Sequence, residues 1–376
     1  MSVACNGKRH RVFLVGSNEP WQQAIFSALA RYCDVIVLEP VLSLAGWIPL
    51  FRRNQPCILP RGIFSHRRWL VRMLSSLARR RLLRAYGVAD ALIITDPFFW
   101  PYALHFRDLA SVIAYHVSDD YSLYPHVRLG QENLLAHQAD LIFTVSLRLA
   151  DVLRKRYGLD ESRFRVIPNG IPASWLPAVP PACPTQLPEL VPADFRPMIG
   201  VIGVIGSRID LLPIVEAHDA LPQLRWLFVG PVRKPIPGLA YLQSSPRCLF
   251  LGAKPYETLQ PFFAALDAAV LPLTHGDINP CSSPVRFFSQ LPTGQPILYT
   301  GTCDQLTETP ELVYPCVDAK ELIHTLARLA ASDFRDGRAE DRYRYAVGCT
   351  WERRAAAMAL ALSEQLAAKS AAPPVP

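Results

Sequence analysis

Tyr115-His116-Val117-Ser118-Asp119-Asp120-Tyr121 sets two adjacent acids just past an apolar run, and Ile167-Pro168-Asn169-Gly170-Ile171 carries a second such run into a turn. Both read as strand ends, so the pattern around them decides the fold. Outward from these two, short apolar runs predict strands at Val12–Gly16, Val35–Leu38, Ala91–Thr95, Val112–Val117, Leu141–Val145 and Phe164–Ile167. Amphipathic stretches between them predict helices at Trp21–Tyr32, Leu70–Tyr86, Gly130–Ala139 and Leu147–Tyr157. Strands and helices in alternation imply a parallel sheet covered on both faces, a Rossmann-like domain.

The composition changes after this. Prolines stand at 168, 172, 177, 180, 181, 184, 188, 192 and 197 with no helical periodicity, which predicts a stiff connector. A second alternation follows, with strands at Met198–Gly203, Arg225–Gly230, Cys248–Leu251, Ala268–Leu271 and Pro296–Tyr299. Its helices are predicted at Ile209–His218, Tyr256–Ala265, Val285–Leu291 and Ala319–Ala331, and a long amphipathic helix closes the chain. The expected layout is a first domain over residues 1–170, a linker over 171–197, a second domain over 198–350, a terminal helix over 351–368 and a disordered tail over 369–376. This is an α/β chain of two Rossmann-like domains facing each other. In open sheets of this kind ligands bind beyond the carboxyl ends of the strands.

Composition narrows the class. With 376 residues, half of them hydrophobic, the chain can fill two cores of ordinary size. Lys8, Arg9, His10 and Arg11 lead directly into a strand-like run, which does not read as a signal peptide. The longest apolar stretch, Phe262 to Leu273, carries Asp267 and is too short to span a bilayer, so a soluble or peripheral protein is expected. Nine cysteines without a C-x-x-C pair point to reduced thiols in a cytoplasm, with no metal framework.

The net charge of +7 is concentrated. Ten arginines lie between Arg52 and Arg84, and no acid occurs from Pro40 to Ala89. Trp47, Phe51, Phe64, Trp69, Leu70 and Leu77 are interleaved with them. Such a segment suits an anionic membrane surface, with apolar groups for the acyl boundary and guanidinium groups for phosphates. The alternative is a basic helix face in solvent with its apolar side in the core. No recognisable nucleic-acid module accompanies it, so nucleic acid is not an expected partner.

Several pieces, in their order along the chain, resemble the GT-B glycosyltransferases, in particular the group 1-like bacterial enzymes that act on lipid-linked acceptors. They are Ala139-Asp140-Leu141-Ile142-Phe143-Thr144-Val145-Ser146 and Ile167-Pro168-Asn169-Gly170-Ile171 in the first half. In the second half they are Gly200-Val201-Ile202-Gly203, Phe228-Val229-Gly230-Pro231, Phe250-Leu251-Gly252-Ala253-Lys254-Pro255-Tyr256, and Ser283-Pro284-Val285-Arg286-Phe287-Phe288 leading to Gly294-Gln295-Pro296. The resemblance implies that the last helix, after Thr350-Trp351-Glu352, returns to the first domain. Within the fold, Ser118-Asp119 and Ser282-Ser283 are locally similar to the xanthan glucuronosyltransferase type, an inverting, membrane-associated enzyme. There the Ser-Asp pair carries the catalytic base.

On that likeness Asp119 is the expected base, taking the acceptor hydroxyl proton as the oxygen attacks the anomeric carbon. Asp120 and Glu132 are its expected acceptor-side companions, although one acid of the pair can instead cap the following turn. His116 is expected to be buried and hydrogen-bonded. The leaving nucleoside diphosphate needs amides and fixed cations. The loop Gly203-Val204-Ile205-Gly206-Ser207-Arg208 and the stretch Cys281-Ser282-Ser283-Pro284 before Arg286 are the places to supply them. Arg286 stands where the family usually has lysine; a surface salt bridge is its alternative role. Ala253 and Lys254 match the position where the nucleotide base is held. Many relatives place a glutamate at Ser289 for the ribose and a further acid at Cys281 in retaining enzymes; here Ser289 or Gln290 must serve the ribose, and inversion is favoured.

The resulting expectation is a cytoplasmic glycosyltransferase without cofactor or metal, peripheral to the inner face of the membrane. It moves a sugar from a nucleoside diphosphate donor, UDP-linked by expectation, to a lipid-linked or polysaccharide acceptor in cell-surface glycan synthesis. A sugar-nucleotide 2-epimerase and a non-catalytic scaffold of the same fold are the rivals.

Overall fold

The structure is a computed structural model that describes residues 9–16, 20–38, 40–41, 59–60, 76, 79–124, 129–181 and 184–371. Most of the arginine-rich stretch between Arg52 and Arg84 therefore lies outside the described residues. Two compact units account for the chain. One is Met1–Pro168 together with Glu352 onward; the other is Asn169–Trp351.

The first unit is built on six parallel strands in the order β2-β1-β5-β6-β7-β8. These are β1 (Arg11–Val15), β2 (Asp34–Leu38), β5 (Ala89–Ile94), β6 (Ala110–Val117), β7 (Leu141–Thr144) and β8 (Phe164–Val166). A separate two-residue pair joins β3 (Pro40–Val41) to β4 (Leu59–Pro60). Val12 to Val15, Leu92 to Ile94 and Leu141 to Phe143 are all buried, as expected where helices cover both faces of a parallel sheet. Around the sheet lie α1 (Pro20–Leu29), α2 (79–86), α3 (Trp100–His105), α4 (Leu129–Gln138) and α5 (Leu147–Tyr157). Helix α5 begins where the Ser146 hydroxyl accepts from Leu149 N at 3.1 Å and ends on Gly158 at φ 64°. The last helix, α13 (Trp351–Ala371), docks on this unit. Its Lys369 reaches Asp140 at 2.7 Å, and Met358 and Leu362 are buried. The expected return of the terminal helix is thus found, and it runs to residue 371.

The second unit repeats the plan in the order β11-β10-β9-β12-β13-β14. Its strands are β9 (Met198–Ile202), β10 (Arg225–Val229), β11 (Cys248–Phe250), β12 (Ala268–Pro272), β13 (Ile297–Thr300) and β14 (Tyr314–Pro315). Its helices are α6 (Leu212–Ala220), α7 (Leu239–Ser244), α8 (Gln260–Ala265), α9 (Val285–Gln290), α10 (Asp304–Thr307), α11 (Ala319–Ala330) and α12 (Ala339–Gly348). In each sheet the strand order reverses once, between β1 and β5 in the first unit and between β9 and β12 in the second. Adjacent loops leave in opposite directions at such a point and open a crevice at the carboxyl ends of the strands.

One expectation is corrected. Residues 171–197, expected as a stiff connector between the domains, belong to the second unit, because the change of unit falls between Pro168 and Asn169. Trp175, Val191 and Phe195 share a core with Met198, Leu227 and Phe262. The Trp175 ring lies 5.0 Å from that of Tyr256, and Arg196 pairs with Asp267 at 2.8 Å. Proline withholds an N–H from a ladder but leaves its neighbours able to pack, so a proline-rich segment can clad a domain without joining its sheet. Trp175→Ala is expected to destabilise the second unit by roughly 3–5 kcal/mol. Hydrogen exchange of the β9 amides measures it, and exchange unchanged in β9 would leave the segment a mere tether.

Candidate functional sites

Strand β6 ends at Val117, and the chain turns at Ser118-Asp119-Asp120. The two acids that look alike in sequence are separated by their partners. Asp120 caps the 3-10 turn Tyr121–Leu123 by accepting from Ser122 N at 3.0 Å and from its hydroxyl at 2.7 Å. Both oxygens of Asp120 also receive the Arg156 guanidinium of α5, at 2.8 and 2.9 Å. Burial alone would push this carboxyl up; Arg156 and Ser122 outweigh it and hold the carboxyl below the usual range. Asp119 stays half-buried, with Oδ2 accepting from the Tyr124 hydroxyl at 2.5 Å and Oδ1 from Asp120 N at 3.1 Å.

Glu132, on α4, is fully buried. It accepts from the Tyr115 hydroxyl at 3.0 Å and the Tyr157 hydroxyl at 2.5 Å, with Arg156 at 3.9 Å. Burial raises its pKa despite these partners. The acceptor-side roles expected of Asp120 and Glu132 are therefore corrected: their carboxylates are used inside the unit, supporting the loop that carries Asp119. Arg156, which binds them together, was not singled out from the sequence. It lies in the basic last turn of a helix, where Arg154, Lys155 and Arg156 are indistinguishable without the fold. His116 is buried as expected, edge-on to Phe26, but its Nδ1 has no hydrogen-bond partner, and desolvation pushes its pKa down to about 4.

In the second unit Gly203 and Arg286 meet at the switch point of the sheet. Gly203 follows β9 at φ 130°, and a Cβ there would stand 2.8 Å from Nη2 of Arg286. Gly230 follows β10 at φ 148°, where a Cβ would meet the Gly203 carbonyl oxygen at 2.0 Å. Both positions demand glycine, and the first does so because a guanidinium lies against it. Arg286, from α9, is partly covered as a residue, but its Nη1 is shut away from solvent and has no partner. Nη2 makes one long bond to the Val204 carbonyl, at 3.4 Å. Burial, with Arg208 nearby, lowers its pKa to about 10, so it is still a cation at neutral pH. No carboxylate among the described residues pairs with it, which sets aside the salt-bridge alternative.

The rest of the loop is anchored from behind. Gly206 is buried and Ser207 exposed, while the Arg208 carbonyl is held by Thr274 N at 3.1 Å and Asn279 Nδ2 at 3.0 Å. The Ser282 hydroxyl donates to Asn279 O at 2.6 Å, and the Ser283 hydroxyl accepts from Asn169 N at 3.0 Å. Exposed Ala253 and half-buried Lys254 follow β11; Gly252, just before them, accepts from Gly230 N at 2.8 Å, so they stand beside the same strand ends. Ser289 and Gln290 turn inward. Ser289 donates to Val285 O at 2.9 Å, and Gln290, fully buried, donates to the Thr293 hydroxyl at 2.8 Å. Their expected ribose contact is corrected on that ground. Helix periodicity hides this: both fall on the face of α9 that fills the core.

Residues 18–175 match the family Glycosyltransferase Family 4. No curated protein matches the sequence. Among solved structures, a glycosyltransferase from Rickettsia africae is 12% identical over 95% of this chain and 99% of its own, with a TM-score of 0.67. The apo lipopolysaccharide outer core galactosyltransferase WaaB is 11% identical over 94% and 99%, with a TM-score of 0.65. Anabaena HepE in complex with UDP and glucose is 13% identical over 95% and 100%, with a TM-score of 0.64. At such identities the likeness is one of fold, and the fold is that of the GT-B glycosyltransferases, over almost the whole chain.

Arg156→Ala is expected to destabilise the first unit by roughly 3–5 kcal/mol at neutral pH, because Asp120 is left buried and unpaired. Since Asp120 is depressed in the folded state, its pairing contributes fully above the ordinary aspartate range and is lost as pH falls through the folded value. The stability gap between wild type and variant should therefore close on acidification; urea titrations at a series of pH values measure it.

Proposed function

We propose that the chain is an inverting glycosyltransferase using a nucleoside diphosphate sugar. The observation that carries the reading is the Arg286 guanidinium, cationic, enclosed against Gly203, beside Arg208, and lacking a partner for Nη1. An uncompensated buried cation is costly to a fold, and an anion that enters the site removes that cost. A diphosphate suits it, since a guanidinium offers paired donors to phosphate oxygens and the glycine turns permit close backbone approach. UDP, which Anabaena HepE holds in a structure of the same fold, supports uridine as the first base to try.

In this mechanism Arg286 and Arg208 hold the diphosphate, while Ala253 and Lys254 meet the base. Asp119 takes the proton from an acceptor hydroxyl as its oxygen bonds to the anomeric carbon. The bond from that carbon to the diphosphate oxygen breaks with inversion, and the two arginines stabilise the charge left on the phosphate. Side chains supply the cations, so the reading includes no metal or cofactor. Inversion is supported by the absence of an acid at Cys281 and at Ser289. Tyr124 and the amide of Asp120 orient the base, and Arg156 neutralises the neighbouring acid.

The acceptor is proposed to be lipid-linked or polysaccharide, reached from the cytoplasmic face of a membrane in cell-surface glycan synthesis. The arginines interleaved with Trp and Phe between Arg52 and Arg84 support this, and at the described end of that region Arg80, Leu83 and Arg84 of α2 are exposed. Arg79 is used within the unit, against Asp108. No described helix is long and apolar enough to cross a membrane.

Saturating UDP is expected to raise the thermal midpoint, at one hundred times its Kd by the equivalent of about 2.7 kcal/mol. Arg286→Met should abolish that rise without lowering the midpoint of the ligand-free protein, since it deletes an unpaired buried charge. Asp119→Asn should keep the rise and lose sugar transfer. A panel of UDP, GDP, dTDP and their sugars that leaves the wild-type midpoint unmoved would contradict the reading and favour a scaffold.

A further inference from the structure

In the second unit, at the end of the sheet opposite Gly203 and Gly230, three polar side chains stand in line. His218 and Asp219 lie in the last turn of α6, and Ser245 follows α7, three residues before β11 begins. His218 Nδ1 is 2.8 Å from Asp219 Oδ1, and its Nε2 is 2.7 Å from the Ser245 hydroxyl. The imidazole is buried, whereas Asp219 is exposed and Ser245 half-buried. Ser244 donates its hydroxyl to Tyr241 O at 2.7 Å, so of the two adjacent serines it is Ser245 that meets the histidine.

The partners assign the ring tautomer. A carboxylate has no proton to give, and the Tyr241 hydroxyl, with His218, holds that of Asp219 below the usual range. Its contact with Nδ1 therefore requires an N–H on that nitrogen. Nε2 is then the acceptor, and Ser245 donates to it. A bare Nδ1 would accept from Arg247 Nη2, 3.2 Å away, but the shorter contact with Asp219 sets that tautomer aside. A serine donating to a histidine that a carboxylate orients is the arrangement that activates a hydroxyl as a nucleophile. The Cys248 thiol beside it does not compete, since burial pushes it up to about 11 and keeps it protonated.

We propose that Ser245 is a nucleophile toward small acyl esters, with His218 as its base and Asp219 orienting the base. Oγ bonds to the ester carbonyl carbon while its proton passes to Nε2; the bond from that carbon to the alkoxy oxygen breaks, and the alcohol leaves with the proton. Water then attacks the acyl-serine in the same way, giving the acid and returning a proton to Ser245. The Arg247 amide, which donates to Ser245 Oγ at 3.2 Å, is a donor at hand as charge develops on the carbonyl oxygen. Exposed Tyr241, edge-on to the imidazole with ring centroids 5.9 Å apart, offers an apolar wall for the acyl group. This site is separate from that of Arg286 and does not rest on sugar transfer.

The test uses the full chain with two probes, a fluorophosphonate and p-nitrophenyl acetate. The fluorophosphonate is expected to bond its phosphorus to Ser245 Oγ with loss of fluoride, which peptide mass spectrometry locates. Hydrolysis of the acetate by wild type should exceed that by Ser245→Ala at least about a hundredfold. Asp219→Asn should slow both reactions by a similar factor, while Ser244→Ala leaves both unchanged. Nitrogen-15 spectra of the wild-type imidazole need no variant to fold, and should place the proton of the neutral ring on Nδ1. No label at Ser245, hydrolysis undiminished in Ser245→Ala or Asp219→Asn, or a proton on Nε2 instead overturns the proposal.

Discussion

A guanidinium enclosed against backbone, with one nitrogen unpartnered, is an imbalance that the rest of the second unit is arranged to tolerate. Arg286 keeps its charge at neutral pH although burial and Arg208 both work against it. The glycine at 203 is required because the cation occupies the space a side chain would need, and the glycine at 230 because Gly203 in turn lies against it. Asn279 and Thr274 hold the Arg208 carbonyl from behind. These features fall at one end of one sheet, where β9 and β12 adjoin and their loops diverge.

The first unit solves a different problem, that of holding two adjacent carboxylates at one strand end. Two adjacent acids at a strand end would repel each other if both were left ionised and unpaired. Arg156 absorbs the charge of Asp120 in a bidentate pair, and Glu132 is buried among two tyrosine hydroxyls and the same arginine. Asp119 has different partners, its carboxylate accepting from a tyrosine hydroxyl and a backbone amide. The division of labour follows from partners and needs no difference in residue type.

Local signals made much of this legible. The buried strands are continuous apolar runs, and α5 falls where Ser146 and Gly158 mark its ends. Gly203 and Arg286 were also visible as candidates, from glycine after a strand and a cation after a serine pair. What stayed hidden depends on distance along the chain. The partner that commits Asp120 is 36 residues away, and the inward face of α9 is set by the core it meets. The cladding role of 171–197 depends on Trp175 finding Tyr256. Helix α12 was missed because Arg342, fully buried on a pair with Asp336 and on the carbonyls of Leu312 and Gly294, breaks the apolar stripe that would have announced it.

A crystal structure of the full chain with UDP is the direct test of the proposed diphosphate site at Arg286. Phosphate oxygens are expected within hydrogen-bonding distance of Arg286 Nη1 and over the Gly203 turn, with uracil near Ala253 and Lys254. UDP bound elsewhere, with Nη1 of Arg286 still unpartnered, would contradict it.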